Sequence, residues 1–215
     1  MNIDFYFDPS CPWCWITSRW LCEVSTERDL NINWIGFSLA MKNDELTGND
    51  TTGHLEAHTT SHQVLRIIEA IAKAENIDRG LLYTEFGYAY HLNSKLDDDN
   101  FIEKVIEKLN LDPKYIEQGN NKELDVSLQS NINQAISIVG DDVGVPLIIF
   151  ENEKGEKQGF FGPVLSKLPE KELGLELFDG LAKFAACSEF YELKRTRSGR
   201  SKVKTTNRLF NDVDE

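Results

Sequence analysis

Cys11 and Cys14, separated by Pro12 and Trp13, are the residues of this chain best suited to chemistry. Their spacing places them about one turn apart at the start of a predicted helix, close enough to bridge. One thiolate can attack a disulfide or another electrophile, and the second thiol can then attack the first sulfur and release the product. Because the free N–H groups at a helix N-terminus stabilise an anion, we predict that Cys11 is the nucleophile and Cys14 the resolving cysteine.

Zinc binding and purely structural thiols are the alternatives for this cysteine pair. A zinc site needs two further ligands, which are usually paired, whereas Cys22 and Cys187 lie far apart in the sequence. We therefore favour redox chemistry, expect no metal, and predict that Cys22 and Cys187 are buried, inert thiols. The histidines His54, His58 and His62 recur every four residues, and we expect them on the surface rather than in a metal site.

The order of predicted elements is strand, helix, strand, a block of helices, then two strands and a helix. This order is that of an α/β thioredoxin-like fold with an inserted all-helical subdomain, which places helices on both faces of a mixed sheet. Periodicity predicts strands at 2–8, 32–40, 145–151 and 157–161, a first helix from Cys11 to about 29–31, inserted helices at 64–77, 81–92, 100–109, 113–118 and 122–139, and a last helix at 169–193.

These elements divide the chain into three parts. Residues 1–42 and 140–197 are predicted to form the thioredoxin-like domain, and residues 43–139 the inserted helical subdomain. Residues 198–215 are expected to be a flexible tail.

Val145 and Pro146 immediately precede the third predicted strand. In a thioredoxin layout this proline is cis and faces the cysteine pair, where the preceding backbone can pair with an extended substrate. The alternative is an ordinary trans proline that opens a strand.

Charge and hydropathy exclude several classes of protein. The formal net charge is −13, which argues against nucleic-acid binding. No apolar run approaches the roughly 18–20 residues that span a bilayer, and the N-terminus does not resemble a signal peptide, so we expect a cytoplasmic protein. No glycine-rich phosphate fingerprint predicts a tightly bound nucleotide or flavin, and electrons should come from a thiol.

The basic charge is concentrated at the C-terminus. Residues 194–215 carry seven Lys or Arg and three acidic residues, a net +4, so residues 1–193 carry −17. A solvated basic tail explains this pattern. The alternative is a site for an anion or a partner near residues 194–197.

The segment from Phe7 to Trp20 resembles the start of the mycothiol-dependent nitroreductases of actinobacteria, a DsbA-like family. Residues 38–40, 161–167 and 192–197 match as well. The resemblance implies reduction by mycothiol, a small cytosolic thiol, of nitroaromatic compounds and disulfides without flavin. It also implies that Trp13 and Asn43 line the active-site cleft, with His91 nearby; Pro12, Val145 and Pro146 complete the predicted substrate-binding residues.

Three functions remain open at this point. The leading hypothesis is thiol-dependent reduction of a small-molecule or protein disulfide, or of an electrophilic small molecule. A thiol transferase or isomerase like the kappa-class glutathione transferases would share the layout without needing Cys14. A redox sensor would use the cysteine pair only as a switch of the helical subdomain. The expected partners are a small thiol and its substrate, and a homodimer is left open.

Overall fold

A four-stranded mixed sheet forms the centre of the protein in the computed structural model, which describes residues 1–93, 100–152 and 154–210. The strand order is β2-β1-β3-β4, with β1 parallel to β2 and the other pairs antiparallel. The two central strands are almost entirely buried because helices cover both faces. The strands are β1 (Asn2–Phe7), β2 (Asn31–Gly36), β3 (Leu147–Glu151) and β4 (Lys157–Phe161).

The helices confirm the predicted order of elements. The first, α1, follows β1; a helical block lies between β2 and β3; and α8 follows β4. The chain therefore has a thioredoxin-like α/β fold with helices inserted after the second strand. The helices are α1 (Pro12–Ser25), α2 (Leu39–Lys42), α3 (Leu55–Glu75), α4 (Arg79–Tyr88), α5 (Phe101–Lys108), α6 (Lys114–Glu117), α7 (Asp125–Val139) and α8 (Lys171–Ala185).

Alternating side chains of β1 pack on opposite faces of the sheet. Phe7 stacks on Tyr83 of α4, with ring centroids 4.0 Å apart, and Phe5 contacts the edge of Trp34. On the other face, the hydroxyl of Tyr6 donates a 3.2 Å hydrogen bond to Gln134 of α7. This strand therefore joins the inserted helices to the sheet and leads directly into the cysteine motif.

Several predicted element bounds are wrong; α3, for example, begins at Leu55, nine residues before the predicted start at 64. The first helix ends at Ser25, several residues before 29–31. The second strand ends at Gly36, because the Ser38 hydroxyl accepts a 3.2 Å hydrogen bond from the N–H of Met41 and so begins α2. The last helix ends at Ala185, after which the chain turns back and Phe190 stacks on Phe184 at 4.6 Å.

His58 and His62 are buried, contrary to the prediction that they lie on the surface. His58 Nδ1 lies 2.5 Å from a Glu45 carboxylate oxygen, and His62 Nδ1 lies 2.9 Å from the Ser38 hydroxyl. Burial lowers the pKa of His62 below its usual value, which favours the neutral ring. Both rings face inward because the buried side of α3 packs against the segment that follows β2; only His54 is exposed.

The prediction of a flexible C-terminal tail is wrong for the segment that packs on α1. Residues Val203–Leu209 form a 3₁₀ helix, and Thr206 in it is fully buried. The indole N–H of Trp15 donates a 3.0 Å hydrogen bond to the Thr206 hydroxyl, and Arg208 forms a 2.9 Å ion pair with Glu23. Aromatic packing and these two contacts hold the segment in place. The predictions for residues 94–99, 153 and 211–215 lie outside the described residues.

The prediction of buried, inert thiols is wrong for Cys187, which is exposed just after α8, while Cys22 is partly buried. None of the described helices combines the length and the apolar composition needed to cross a lipid bilayer.

Candidate active site

Cys11 is the N-cap residue of α1. Its backbone is extended, with φ −75° and ψ 111°, and its carbonyl accepts the first helical hydrogen bond, from the Trp15 N–H at 3.1 Å. Pro12 occupies the first helical position, where the missing N–H leaves no bond unmade. The Cys11 N–H donates to the carbonyl of Asp8 at 3.1 Å, which closes the turn between β1 and α1. The thiol therefore lies where free helix N–H groups converge, and the residue keeps 7% of its surface exposed.

Cys14 lies in the first turn of α1 and is fully buried. Both cysteines are unbonded thiols, and the Cys11 thiol is close enough to Cys14 to influence its pKa. Burial raises the pKa of the Cys14 thiol well above its usual value, and the neighbouring Cys11 thiol raises it further. Cys14 is therefore held protonated and away from solvent, while Cys11 is the accessible member of the pair.

A cis-proline loop lies directly against the Cys11 thiol. The Val145–Pro146 bond is cis, which confirms that prediction, and the Cys11 thiol donates to the Val145 carbonyl at 3.7 Å. A second cis bond, Gly162–Pro163, supports this loop: the N–H of Gly162 donates to the Pro146 carbonyl at 2.8 Å. The Pro163 carbonyl accepts a 2.7 Å hydrogen bond from Thr17, which ties the same segment to α1.

The carboxylate of Asp8 organises the turn between β1 and α1. It is fully buried and accepts from the backbone N–H and the hydroxyl of Ser10, at 2.9 and 2.7 Å. It also accepts from the Leu39 N–H at 2.9 Å and from the hydroxyl of Ser61. One buried side chain thus joins the cysteine loop, α2 and α3. The sequence could not show these partners, because they lie 31 and 53 positions away.

His91 lies beside the cysteine loop, in the π-helical turn Ala89–Asn93 that extends α4. Its Nε2–H donates a 2.9 Å hydrogen bond to the Pro9 carbonyl, and its ring stacks on Trp15 at 5.6 Å. Burial lowers the pKa of His91 to about 4, so the ring is neutral near neutral pH. These contacts hold His91 against the backbone that precedes Cys11; a substrate-binding role for it stays a prediction.

Trp13 is half-buried between the two cysteines, and the guanidinium of Arg197 lies 5.4 Å from the centroid of its ring. Asn43 caps the C-terminus of α2, where its N–H donates to the Leu39 carbonyl at 2.9 Å. Within the described chain, no hydrogen bond or ring contact joins Asn43 to either cysteine. Its predicted place in the cleft therefore stays a prediction.

Arg19 is a buried cation that sequence analysis missed. It lies two turns below Cys11 on α1, with 4% of its surface exposed, and its guanidinium lies 4.6 Å from the ring centroid of Trp15. Thr84 and Ser18 supply its hydrogen-bond partners, at 2.9 and 3.2 Å. A helical pattern that places Arg on an apolar face is the signal that could have found it.

Nothing in the described part of the chain gathers three or more His, Cys, Asp or Glu side chains as a metal site requires. The reactive groups assembled at the N-terminus of α1 are therefore thiols, with the Val145 carbonyl and the aromatic rings around them.

Known proteins with similar structures share this architecture. The cytosolic disulfide reductase DsbM from Pseudomonas aeruginosa matches with a TM-score of 0.56 and 12% identity, over 86% of this chain and 100% of that one. The probable DsbA oxidoreductase SCO1869 from Streptomyces coelicolor matches with a TM-score of 0.53 and 13% identity, over 92% of this chain and 94% of that one. At these identities the likeness shows the fold.

A sequence relative is the uncharacterized protein Rv2286c of Mycobacterium tuberculosis, which is 23% identical over 199 residues, 92% of this chain and 83% of that protein. Fold and family together define a DsbA-like thiol oxidoreductase. More particularly, the chain belongs to the Rv2466c-like family, described as mycothiol-dependent nitroreductase Rv2466c, whose model matches residues 10–195.

Proposed function

We propose that Cys11 and Cys14 are the catalytic dithiol of a cytoplasmic oxidoreductase that reduces disulfides or nitroaromatic compounds with mycothiol as electron donor. The observation that carries the proposal is the asymmetry of the pair: Cys11, at the N-terminus of α1, keeps 7% of its surface exposed, and Cys14 is fully buried and protonated beside it. The family supports a thiol donor, and a dithiol centre suits a reducing compartment.

Reduction of a disulfide follows from this arrangement. The Cys11 thiolate attacks one sulfur of the substrate, the substrate S–S bond breaks, and one thiolate leaves and takes up a proton. Cys14 then loses its proton and attacks the Cys11 sulfur; this releases the second substrate thiol and forms the Cys11–Cys14 disulfide. Two molecules of mycothiol restore the dithiol and leave as mycothiol disulfide.

A nitro group can accept the same two electrons. The dithiol supplies two electrons and two protons, the nitro group becomes a nitroso group, and one oxygen leaves as water while the Cys11–Cys14 disulfide forms. Trp13, Asn43 and His91 would line the cleft that holds such a planar acceptor, with Pro12, Val145 and Pro146 along its edge. The indole of Trp13 offers a face on which an aromatic ring can stack.

The test separates the two cysteines in a Cys187→Ser background, which removes the exposed thiol. A reduced Cys14→Ser variant should trap a stable mixed disulfide with the substrate at Cys11, detected by intact mass spectrometry. Cys11→Ser should form no adduct and lose turnover. Mycothiol, glutathione and thioredoxin are compared as donors with the parent protein.

Two other outcomes would contradict the proposal. Full turnover by Cys14→Ser would indicate a thiol transferase or isomerase, which needs no resolving cysteine. One stoichiometric oxidation without turnover in excess mycothiol would indicate a redox sensor.

A further inference from the structure

The guanidinium of Arg197 lies over the indole of Trp13, between the two cysteines, at 5.4 Å from the ring centroid. This distance is within the range of a cation–π contact. Arg197 itself is exposed, and it belongs to a segment without helix or strand that follows α8. A guanidinium that lies over a ring keeps its in-plane N–H donors free for an acceptor. No described residue supplies that acceptor.

Arg197 is also the centre of a basic segment in an acidic protein. The segment's cations are exposed, and no described carboxylate lies within ion-pair distance of any of them. Residues 1–193 carry a formal charge of −17, which repels anions from the rest of the surface. The basic segment consists of Lys194, Arg195, Arg197, Arg200 and Lys202.

The segment is anchored near the site. The N–H of Lys202 donates a 2.8 Å hydrogen bond to the Ser166 carbonyl, in the loop that carries the cis Gly162–Pro163 bond. Immediately after it, the 3₁₀ helix Val203–Leu209 packs on Trp15 through Thr206. The C-terminal end of the basic segment is therefore held against α1 and the Gly162–Pro163 loop, five residues after Arg197.

We propose that Arg197, held by Trp13, is a specificity-determining residue that binds a carboxylate of the acceptor while its reducible group faces Cys11. The planar fork of an arginine matches a carboxylate with two parallel hydrogen bonds. The acceptors preferred by this protein are therefore anionic small molecules, such as aromatic carboxylates with a disulfide or nitro group. This inference rests on the proposed function and deepens it.

The test compares two aromatic disulfides that release a coloured thiol: dithiobis-nitrobenzoate, which is a dianion, and dithiodipyridine, which is neutral. Each reacts in a single turnover with reduced protein in a Cys187→Ser background. Arg197→Gln should lower the second-order rate constant for the dianion by about tenfold, because a charge-assisted contact is lost, and that for the neutral disulfide by less than about twofold. Arg197→Lys should lie between parent and Arg197→Gln for the dianion.

Arg200→Gln is the matched control. It removes one charge from the same basic segment, and the described contacts give Arg200 no aromatic partner. It should lower the rate for the dianion by less than about threefold. The preference of the parent for the dianion should also shrink as ionic strength rises from about 0.01 M to about 0.15 M. Equal losses on both disulfides in Arg197→Gln, or equal effects of the two variants, would overturn the proposal.

A binding measurement separates this inference from the proposed function. Benzoate and its neutral analogue benzamide are titrated into the reduced protein while the indole N–H resonance of Trp13 is followed by NMR. Benzoate should shift that resonance more, and at lower concentration, in the parent than in Arg197→Gln, whereas benzamide should act alike on the two proteins. If the neutral disulfide is not reduced at all, the proposed function fails. The titration still tests, independently of turnover, whether Arg197 binds a carboxylate.

Discussion

The thiol of Cys11 lies 3.7 Å from the carbonyl oxygen of Val145, the residue before the cis proline. An extended substrate that bound to the backbone of Val145 would therefore present its reactive atom to Cys11. Cys14 is fully buried behind Cys11 and has no such access. The geometry thus separates an attacking position from a resolving one.

This asymmetry predicts the order of alkylation. In a Cys22→Ser, Cys187→Ser background, iodoacetamide should modify Cys11 at least about tenfold faster than Cys14 at neutral pH. Burial raises the pKa of Cys14, so its thiolate fraction is smaller than that of a free cysteine at every pH below that raised value. Peptide mass spectrometry measures both rates. The Cys11→Ser variant isolates Cys14, which should react only as the pH becomes strongly alkaline; equal rates at neutral pH would refute the assignment.

His91 predicts a particular dependence of stability on pH. Its pKa is about 4 in the folded protein, against an ordinary 6.5. The unfolded chain therefore binds a proton first as the pH falls, and the free energy of unfolding declines from about pH 6.5 towards pH 4. His91→Gln should reduce this decline, measured by urea unfolding at several pH values. Part of it should remain, because burial also lowers the pKa of His62.

His54→Gln is the control, since His54 is exposed on the same protein. Its free energy of unfolding should decline with falling pH as steeply as that of the parent. The pH profile of kcat/KM should likewise show no inflection from His91 near pH 6.5, because the ring is already neutral there. An inflection that disappears in His91→Gln would instead identify a proton donor.

The elements of the fold and the cysteine pair were predictable because their signals are local. Cys11, Pro12 and Cys14 mark a helix start within four residues, and the apolar run after Pro146 marks a buried strand. The supports of the site have no such signal. Asp8 and Ser61 are separated by 53 positions, His91 and Pro9 by 82, and Trp15 and Thr206 by 191. Side chains this far apart in the sequence come into contact only through the tertiary fold, so no pattern of sequence spacing predicts these pairs.

The buried histidines and the C-terminal segment show the same limit. A helix with His58 and His62 on one face gives no indication of whether that face is covered by the segment containing Glu45. Likewise, the basic composition of the C-terminal sequence predicts a solvated tail. Only the tertiary structure shows that its 3₁₀ helix packs on the indole of Trp15. In both cases contacts between residues far apart in the sequence bury side chains whose polar composition predicted exposure.

The contact between Trp15 and Thr206 predicts a measurable loss of stability. Thr206→Val keeps the shape of the side chain but leaves the buried indole N–H without its acceptor, which costs about 1–3 kcal/mol. Urea unfolding followed by circular dichroism gives the free energy of unfolding. Thr47→Val, at an exposed position, should change it by less than about 0.5 kcal/mol. An equal effect of the two variants would show that the hydrogen bond between Trp15 and Thr206 does not stabilise the fold.

Gly87 and Gly180 provide a matched pair of helical glycines with opposite surroundings. A Cβ at Gly87, in α4, would lie 2.5 Å from the Trp15 ring, whereas a Cβ at Gly180, in α8, would meet nothing within 4 Å. Gly87→Ala should therefore destabilise the protein by about 1–3 kcal/mol, since the ring is held on several sides and must shift. Gly180→Ala should be neutral or stabilising by up to about 1 kcal/mol, because alanine has the higher helix propensity.

The Gly87 variant also reports on the active site. Trp15 follows Cys14 directly, and its ring stacks on His91 and on Phe210. A displaced indole would disturb the His91 contact to the Pro9 carbonyl, and so the loop that presents Cys11. The rate of Cys11 alkylation should therefore fall in Gly87→Ala and stay at the parent value in Gly180→Ala. If Gly87→Ala were destabilised but alkylated at the parent rate, Trp15 would support the fold without positioning the reactive thiol.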